Sequence, residues 1–140
     1  MKAIKTFPYQ NPLGSSVDRV VYCEASLWMT QIQISQLFGC RVSRVYSVMK
    51  QLFESGELDS QTANRKIEIP NADGRYFGGN FYNLDAIIAV GYRLNPKAAT
   101  RFHIWSSQIL RRSLMQNMTM PQQSMIGTLR RKLSSMLAAA

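Results

Sequence analysis

The chain has 140 residues, 46% of them hydrophobic, enough for one domain with a core of its own. Seventeen Lys and Arg against eight Asp and Glu leave a net charge of +9, which points to a polyanionic partner, nucleic acid first and an anionic membrane surface second. No apolar stretch, residues 86–90 included, approaches the roughly 20 residues of a bilayer span, and no apolar run follows Met1-Lys2-Ala3-Ile4-Lys5. Cys23, Cys40 and the single His103 are too few for a disulfide framework or a zinc site, so a reducing cytoplasm is the expected setting.

In chain order, residues 1–16 hold Pro8, Pro12 and Gly14 without a sustained period and read as an arm. Val20-Val21-Tyr22 and Leu27-Trp28-Met29 flank Glu24-Ala25-Ser26, the pattern of a short hairpin. Thr30 can accept from the free amides of a first turn, so it caps a helix to about Phe38 that Gly39 ends. A second helix runs over about 42–55 and stops at Gly56. From Lys66 to Tyr82 the period changes to short strands, Lys66-Ile67-Glu68-Ile69 and Arg75-Tyr76-Phe77, with the turn signal Asn71-Ala72-Asp73-Gly74 between them. Asn83 caps a third helix over about 84–93, and Asn95-Pro96 opens a fourth to about Gln116. On that fourth helix Ala98, Phe102, Trp105 and Ile109 share one face, while Arg101, Gln108 and Arg112 share another. Pro121 interrupts the pattern before a basic tail with Met125, Leu129, Leu133 and Met136 at helical spacing. The expected organisation is an arm over 1–16, a domain over 17–120 and a tail over 121–140.

Residues 31–50 meet the demands of a helix-turn-helix unit. Gly39 supplies the turn, and Ile34, Phe38, Cys40, Val45 and Val48 supply an apolar stripe. Ser35, where such units usually carry alanine, and Arg41, where a short capping side chain is ordinary, depart from the pattern. Arg41, Ser43, Arg44, Tyr46 and Ser47 fall away from the stripe, with Lys50 further along. Arginine bonds bidentately to a guanine edge, Ser and Tyr hydroxyls reach phosphate or base, and Lys neutralises phosphate. An αα-hairpin whose polar face meets only water is the plainer reading of the same spacing. Arg65, Lys66 and Arg75 lie on or beside the second hairpin, which fits a basic wing against phosphates; Glu68 and Asp73 among them fit a structural ribbon equally. Charge is uneven: residues 1–55 carry +3, 56–95 carry −1, and 96–140 carry seven cations and no carboxylate. Solvated surfaces ordinarily mix both signs, so Arg101 and Arg112 join the candidate DNA contacts.

A family resemblance rests on Leu27-Trp28-Met29-Thr30-Gln31 through Leu37-Phe38-Gly39, Phe53-Glu54-Ser55-Gly56-Glu57-Leu58, Asp73-Gly74, and above all Tyr82-Asn83-Leu84-Asp85-Ala86-Ile87-Ile88-Ala89-Val90-Gly91-Tyr92-Arg93 with Phe102-His103-Ile104-Trp105. Together these resemble the bacterial RhuM family over about residues 27–114, leaving the tail after Pro121 outside. The resemblance implies a DNA-binding domain similar to phage-associated modules of mobile elements, without established catalytic residues. Cys40-Arg41-Val42-Ser43-Arg44-Val45-Tyr46 departs from the family's usual polar run, so no DNA target carries over.

The chemistry of an enzyme is missing from the pattern. No Asp-x-Asp or Glu-x-Lys grouping offers a nuclease its metal ions, and His103 has no second histidine. Gly78-Gly79 lacks the helix start and lysine of a phosphate loop, and neither cysteine has a neighbouring base. No catalysis, cofactor, metal or small-molecule substrate is expected. The sequence predicts an α+β fold, a helix-turn-helix with a β-hairpin wing and additional C-terminal helices. It predicts binding of double-stranded DNA as a homodimer in the cytoplasm of a bacterium or phage-infected cell, regulating transcription as a repressor. The alternative is a protein-interaction module such as an anti-repressor or a host-directed virulence effector; a membrane anchor formed by the basic tail is a third reading.

Overall fold

Strands rich in β-branched and aromatic residues pair into one antiparallel sheet, and helices take up most of the other described residues, so the fold is α+β as expected. The computed structural model describes residues 4–10 and 16–119, with side chains to Met115. The strands are β1 (Lys5–Tyr9), β2 (Val17–Cys23), β3 (Ser26–Met29), β4 (Asn64–Pro70) and β5 (Tyr76–Asn83), in the order β1-β2-β3-β5-β4. The helices are α1 (Gln31–Phe38), α2 (Val42–Glu54), α3 (Ser60–Ala63), α4 (Leu84–Leu94) and α5 (Pro96–Thr119).

The β2–β3 hairpin turns on Glu24 and Ala25, both at positive φ (52° and 59°). That is the conformation a two-residue loop needs to match strand twist, although neither residue is glycine. Trp28 Nε1 donates to the Cys23 carbonyl at 2.9 Å, which pins the hairpin beside its turn.

Lys5–Tyr9 is a strand where the sequence reads as an arm. It pairs with β2, Lys5 opposite Tyr22 and Tyr9 opposite Val17, with the register slipping between Phe7 and Tyr9. Pro8 sits at that slip, and an outer strand tolerates a residue that cannot donate. Tyr9 is buried, with ring centroids 5.2 Å from Phe102 and 4.9 Å from Trp105.

Local chemistry sets the helix ends. Thr30 and Gln33 form a reciprocal capping box at α1, and Gly39 ends it in the left-handed conformation at φ 66°. The Asn83 side chain accepts from Ala86 N at 3.0 Å to open α4, and the Asn95 side chain accepts from Ala98 N at 3.3 Å to open α5. Ile34, Leu37 and Phe38 of α1, Val45, Met49 and Leu52 of α2, and Ala86, Ile87 and Val90 of α4 are buried, as are Leu27 and Met29 of β3. Val21, Cys23, Trp28, Ile67 and Phe81 form an apolar cluster in the sheet.

The chain divides into two compact units, Met1–Ser106 and Ser107–Ala140, with the division inside α5. In the second unit Ile109 and Ser113 are buried, while Arg111, Arg112 and Leu114 are exposed. The apolar stripe expected over 125–136 lies outside the described residues. No described helix is long and apolar enough to cross a membrane.

Candidate nucleic-acid interface

Gly39 lets the chain reverse between α1 and α2, and Cys40 N donates back to Ser35 O at 3.0 Å. Ser35 is buried with its hydroxyl donating to Ile32 O at 2.6 Å, so the site that ordinarily holds alanine carries no unsatisfied donor. Of the expected stripe, Ile34, Phe38 and Val45 are buried, whereas Cys40 and Val48 are only half-buried. Met49 and Leu52, four and seven residues beyond Val45, complete the inward face of α2.

With that face turned inward, Arg41, Ser43, Arg44, Tyr46, Ser47 and Lys50 are all exposed. Arg41, Ser43, Arg44 and Ser47, with Val48 and Gln51, line one shallow depression of about 480 Å³. Among the described residues neither arginine meets a carboxylate. Arg41 is the N-cap of α2, and its guanidinium, which has no acceptor to offer the free amides of the first turn, makes no hydrogen bond among the described residues. The Ser47 hydroxyl donates to Ser43 O at 3.0 Å, so towards a ligand it is foremost an acceptor. Lys50 lies 4.0 Å from Glu54, an exposed i,i+4 pair of little strength. Burial pushes the Cys40 thiol up, Arg44 only partly opposing it, which makes the sulfur a poorer nucleophile at neutral pH than a free thiol.

Tyr46 stands on the other flank of α2, in a groove of about 970 Å³ shared with α1 and β5. The groove exists because β3 is short. Beyond Met29, opposite Tyr82, β2 and β5 run on with no strand between them while the chain turns into α1. Arg19 crosses this gap, donating to Asn71 Oδ1 at 2.6 Å with its guanidinium 4.8 Å from the Phe77 ring centroid.

The three hairpin cations do not share one fate. Arg65 pairs with Glu24 and lies 5.4 Å from the Trp28 ring centroid, covering the apolar cluster of the sheet. Lys66 and Arg75 are exposed and meet no carboxylate among the described residues. The connection is longer than an Asp-Gly turn: Asn71 N donates to Arg75 O at 2.7 Å, and Asp73 Oδ1 accepts from Arg75 N at 3.0 Å. Gly78 lets the two strands meet, because a Cβ there would lie 2.3 Å from Ile67 O. Arg101 is exposed on α5 and lines neither the depression nor the groove. Its charge partly opposes the burial that raises the Tyr9 hydroxyl. Arg112 is exposed in the second unit. Among the described residues no group of His, Cys, Asp and Glu could hold a metal ion, and His103 is exposed.

Sequence reasoning missed Gln36, Tyr76, Asn80 and Asp18 as groove residues. No sequence signal marked them, because the Leu27-Trp28-Met29 run is as long as the Val20-Val21-Tyr22 and Arg75-Tyr76-Phe77 runs, and β3 is the shorter strand only in the structure.

A family model described as the virulence protein RhuM family matches residues 62–133, just over half of the chain. No curated protein and no solved structure matches. The match begins in α3, takes in β4, β5, α4 and α5, and runs into the tail. It therefore differs in extent from the resemblance read over 27–114: α1 and α2 lie outside it, and residues 121–133 lie inside.

Proposed function

The chain belongs to the virulence protein RhuM family, and from that premise we propose that it is a sequence-specific double-stranded DNA-binding protein of winged-helix type. In this reading α2 enters the major groove, the β4–β5 hairpin acts as the wing, and the protein regulates transcription on a phage or mobile element. The observation that carries it is the convergence of Arg41, Ser43, Arg44 and Ser47 on one exposed depression without a carboxylate to neutralise the arginines. The 13 residues of α2 span roughly 20 Å, and an α-helix fits the roughly 12 Å width of the major groove. Lys66 and Arg75 add free cations on the hairpin, and the net charge of +9 favours the encounter. A homodimer reading two half-sites is part of the same proposal, since helix-turn-helix modules commonly pair in that way.

The test is a fluorescence anisotropy titration of the full chain on random and selected duplexes across a salt series. A log-log slope of about −4 to −5, with one selected sequence bound far more tightly than the random pool, is the expected result. A slope near zero, or equal affinity for every duplex after selection, refutes it.

A further inference from the structure

The groove beside Tyr46 has a composition unlike that of the arginine depression on the opposite flank of α2. Gln36, Tyr46, Tyr76 and Asn80 line it, and none of these side chains makes a hydrogen bond within the described residues. Both tyrosine rings are largely exposed, Tyr46 at 55% and Tyr76 at 67%. The groove's cation, Arg19, is committed to Asn71 and the Phe77 ring, while Asp18 makes no ion pair among the described residues. The walls thus offer neutral donors, one carboxylate and the charge of Arg19, which the neutral Asn71 amide and the Phe77 ring hold in place without cancelling.

We infer that this groove seats one sugar–phosphate strand of the bound duplex through neutral donors, the Tyr46 and Tyr76 hydroxyls and the Gln36 and Asn80 amides. The inference rests on the DNA-binding reading. A helix in the major groove has a phosphate strand along each flank. The strand on the Tyr46 side must then pass between α2 and β5, the two elements that wall this groove. Tyrosine and amide side chains are ordinary phosphate partners. A neutral donor displaces no condensed counterion, so its share of the affinity persists as salt rises, whereas the share from Arg41, Arg44, Lys66 and Arg75 fades. Asp18 opposes the strand and trims affinity. A near-neutral peptide in the same groove is the competing occupant, and it would leave DNA affinity independent of these residues.

The experiment is the salt series on the full chain with a random duplex, repeated for Tyr46→Phe with Tyr76→Phe and, separately, for Asp18→Asn. These three positions are exposed, so the variants should keep the fold, which circular dichroism verifies. Loss of two neutral hydrogen bonds should weaken binding about 5- to 30-fold at every salt concentration with the slope unchanged. Asp18→Asn should tighten binding about 2- to 5-fold at low salt, an advantage that shrinks as salt is added. If the wild-type chain binds with a steep salt slope but both variants match it, no strand occupies the groove and the DNA-binding reading survives alone. A double variant that flattens the slope also refutes the neutral seat, because cationic contacts would then have been lost. A wild-type chain that binds no duplex at any salt removes the DNA-binding reading itself.

Discussion

Gly91→Ala tests the packing that aims α2. Gly91 is buried in α4, and a Cβ built there lies 2.3 Å from Phe38 Cζ, 2.7 Å from Phe38 Cε1 and 2.9 Å from the Ala99 Cβ. Phe38 is the last residue of α1 and 4% exposed, so either its buried ring or the helices themselves must shift to admit the methyl group. Overpacking of this kind costs about 1 to 3 kcal/mol, while replacing a mid-helix glycine by alanine returns about 1 kcal/mol of propensity. A close pair at 2.3 Å belongs at the upper end of the cost, which leaves a net loss of about 1 to 2 kcal/mol. Urea denaturation followed by circular dichroism should report that loss, together with a fall in Tm of about 3 to 8 °C. Because Phe38 adjoins Gly39, any shift of α1 also turns α2, so DNA affinity should fall with stability. Adding Phe38→Leu should recover part of both losses, since the two side chains contend for one space. A Gly91→Ala chain as stable as the wild type would refute the close approach.

The other expectations concern charge and capping. Arg44→Ala should cost about 1 to 3 kcal/mol more on the selected duplex than on a random one, where Arg44 meets phosphate alone; equal losses on both would mean that it touches no base. Lys66→Ala and Arg75→Ala should each flatten the salt slope by about 1, whereas Arg65→Ala should leave the slope alone and red-shift Trp28 fluorescence as its cover is lost. Thr30→Ala breaks the capping box and should lower stability by about 1 kcal/mol, read by the same urea titration. In the native chain Cys40 should react with iodoacetamide at neutral pH more slowly than in the urea-unfolded chain, because burial raises its thiol pKa; equal rates would show the sulfur to be open.

What is legible in this sequence is what neighbours along the chain decide. Thr30, Gly39, Asn83 and Asn95 act within one helical turn, and each marks a helix end from its own side-chain or backbone chemistry. The five-residue strand β1 is not legible in the same way. Pro8 breaks its alternation, and its stability comes from pairing with β2 and from Tyr9 against Phe102, contacts between residues distant in sequence. The four-residue α3, capped by Asp59, is too short to leave a period. The exposed face of α2 follows from helical spacing alone. The groove beside it depends on Met29 facing Tyr82 where β3 ends, a register between strands far apart in the chain. Charge shows the same limit, since Arg65 and Lys66 are adjacent cations, yet of the two Glu24 reaches only the first.

That distinction between committed and free cations sets the expected salt dependence more closely than the net charge does. Of the basic side chains near α2 and the hairpin, Arg19 is held by Asn71 and Phe77, Arg65 by Glu24, and Arg93 by Glu57 at 2.7 Å. Arg41, Arg44, Lys66 and Arg75 remain available. Four phosphate contacts give a slope of about −3.6, and Lys50, released from its weak pair with Glu54, brings it to about −4.5. Neutral contacts in the groove add affinity to this figure without adding slope. A measured slope beyond about −6 therefore requires cations from elsewhere, such as Arg101, the exposed Arg111 and Arg112 of the second unit, or Arg130, Arg131 and Lys132 of the tail. Removing residues 122–140 separates these sources. A slope that returns to about −4.5 on truncation assigns the excess to the tail, and one that stays steep assigns it to the cations that remain, those of α5 or Lys5 of β1.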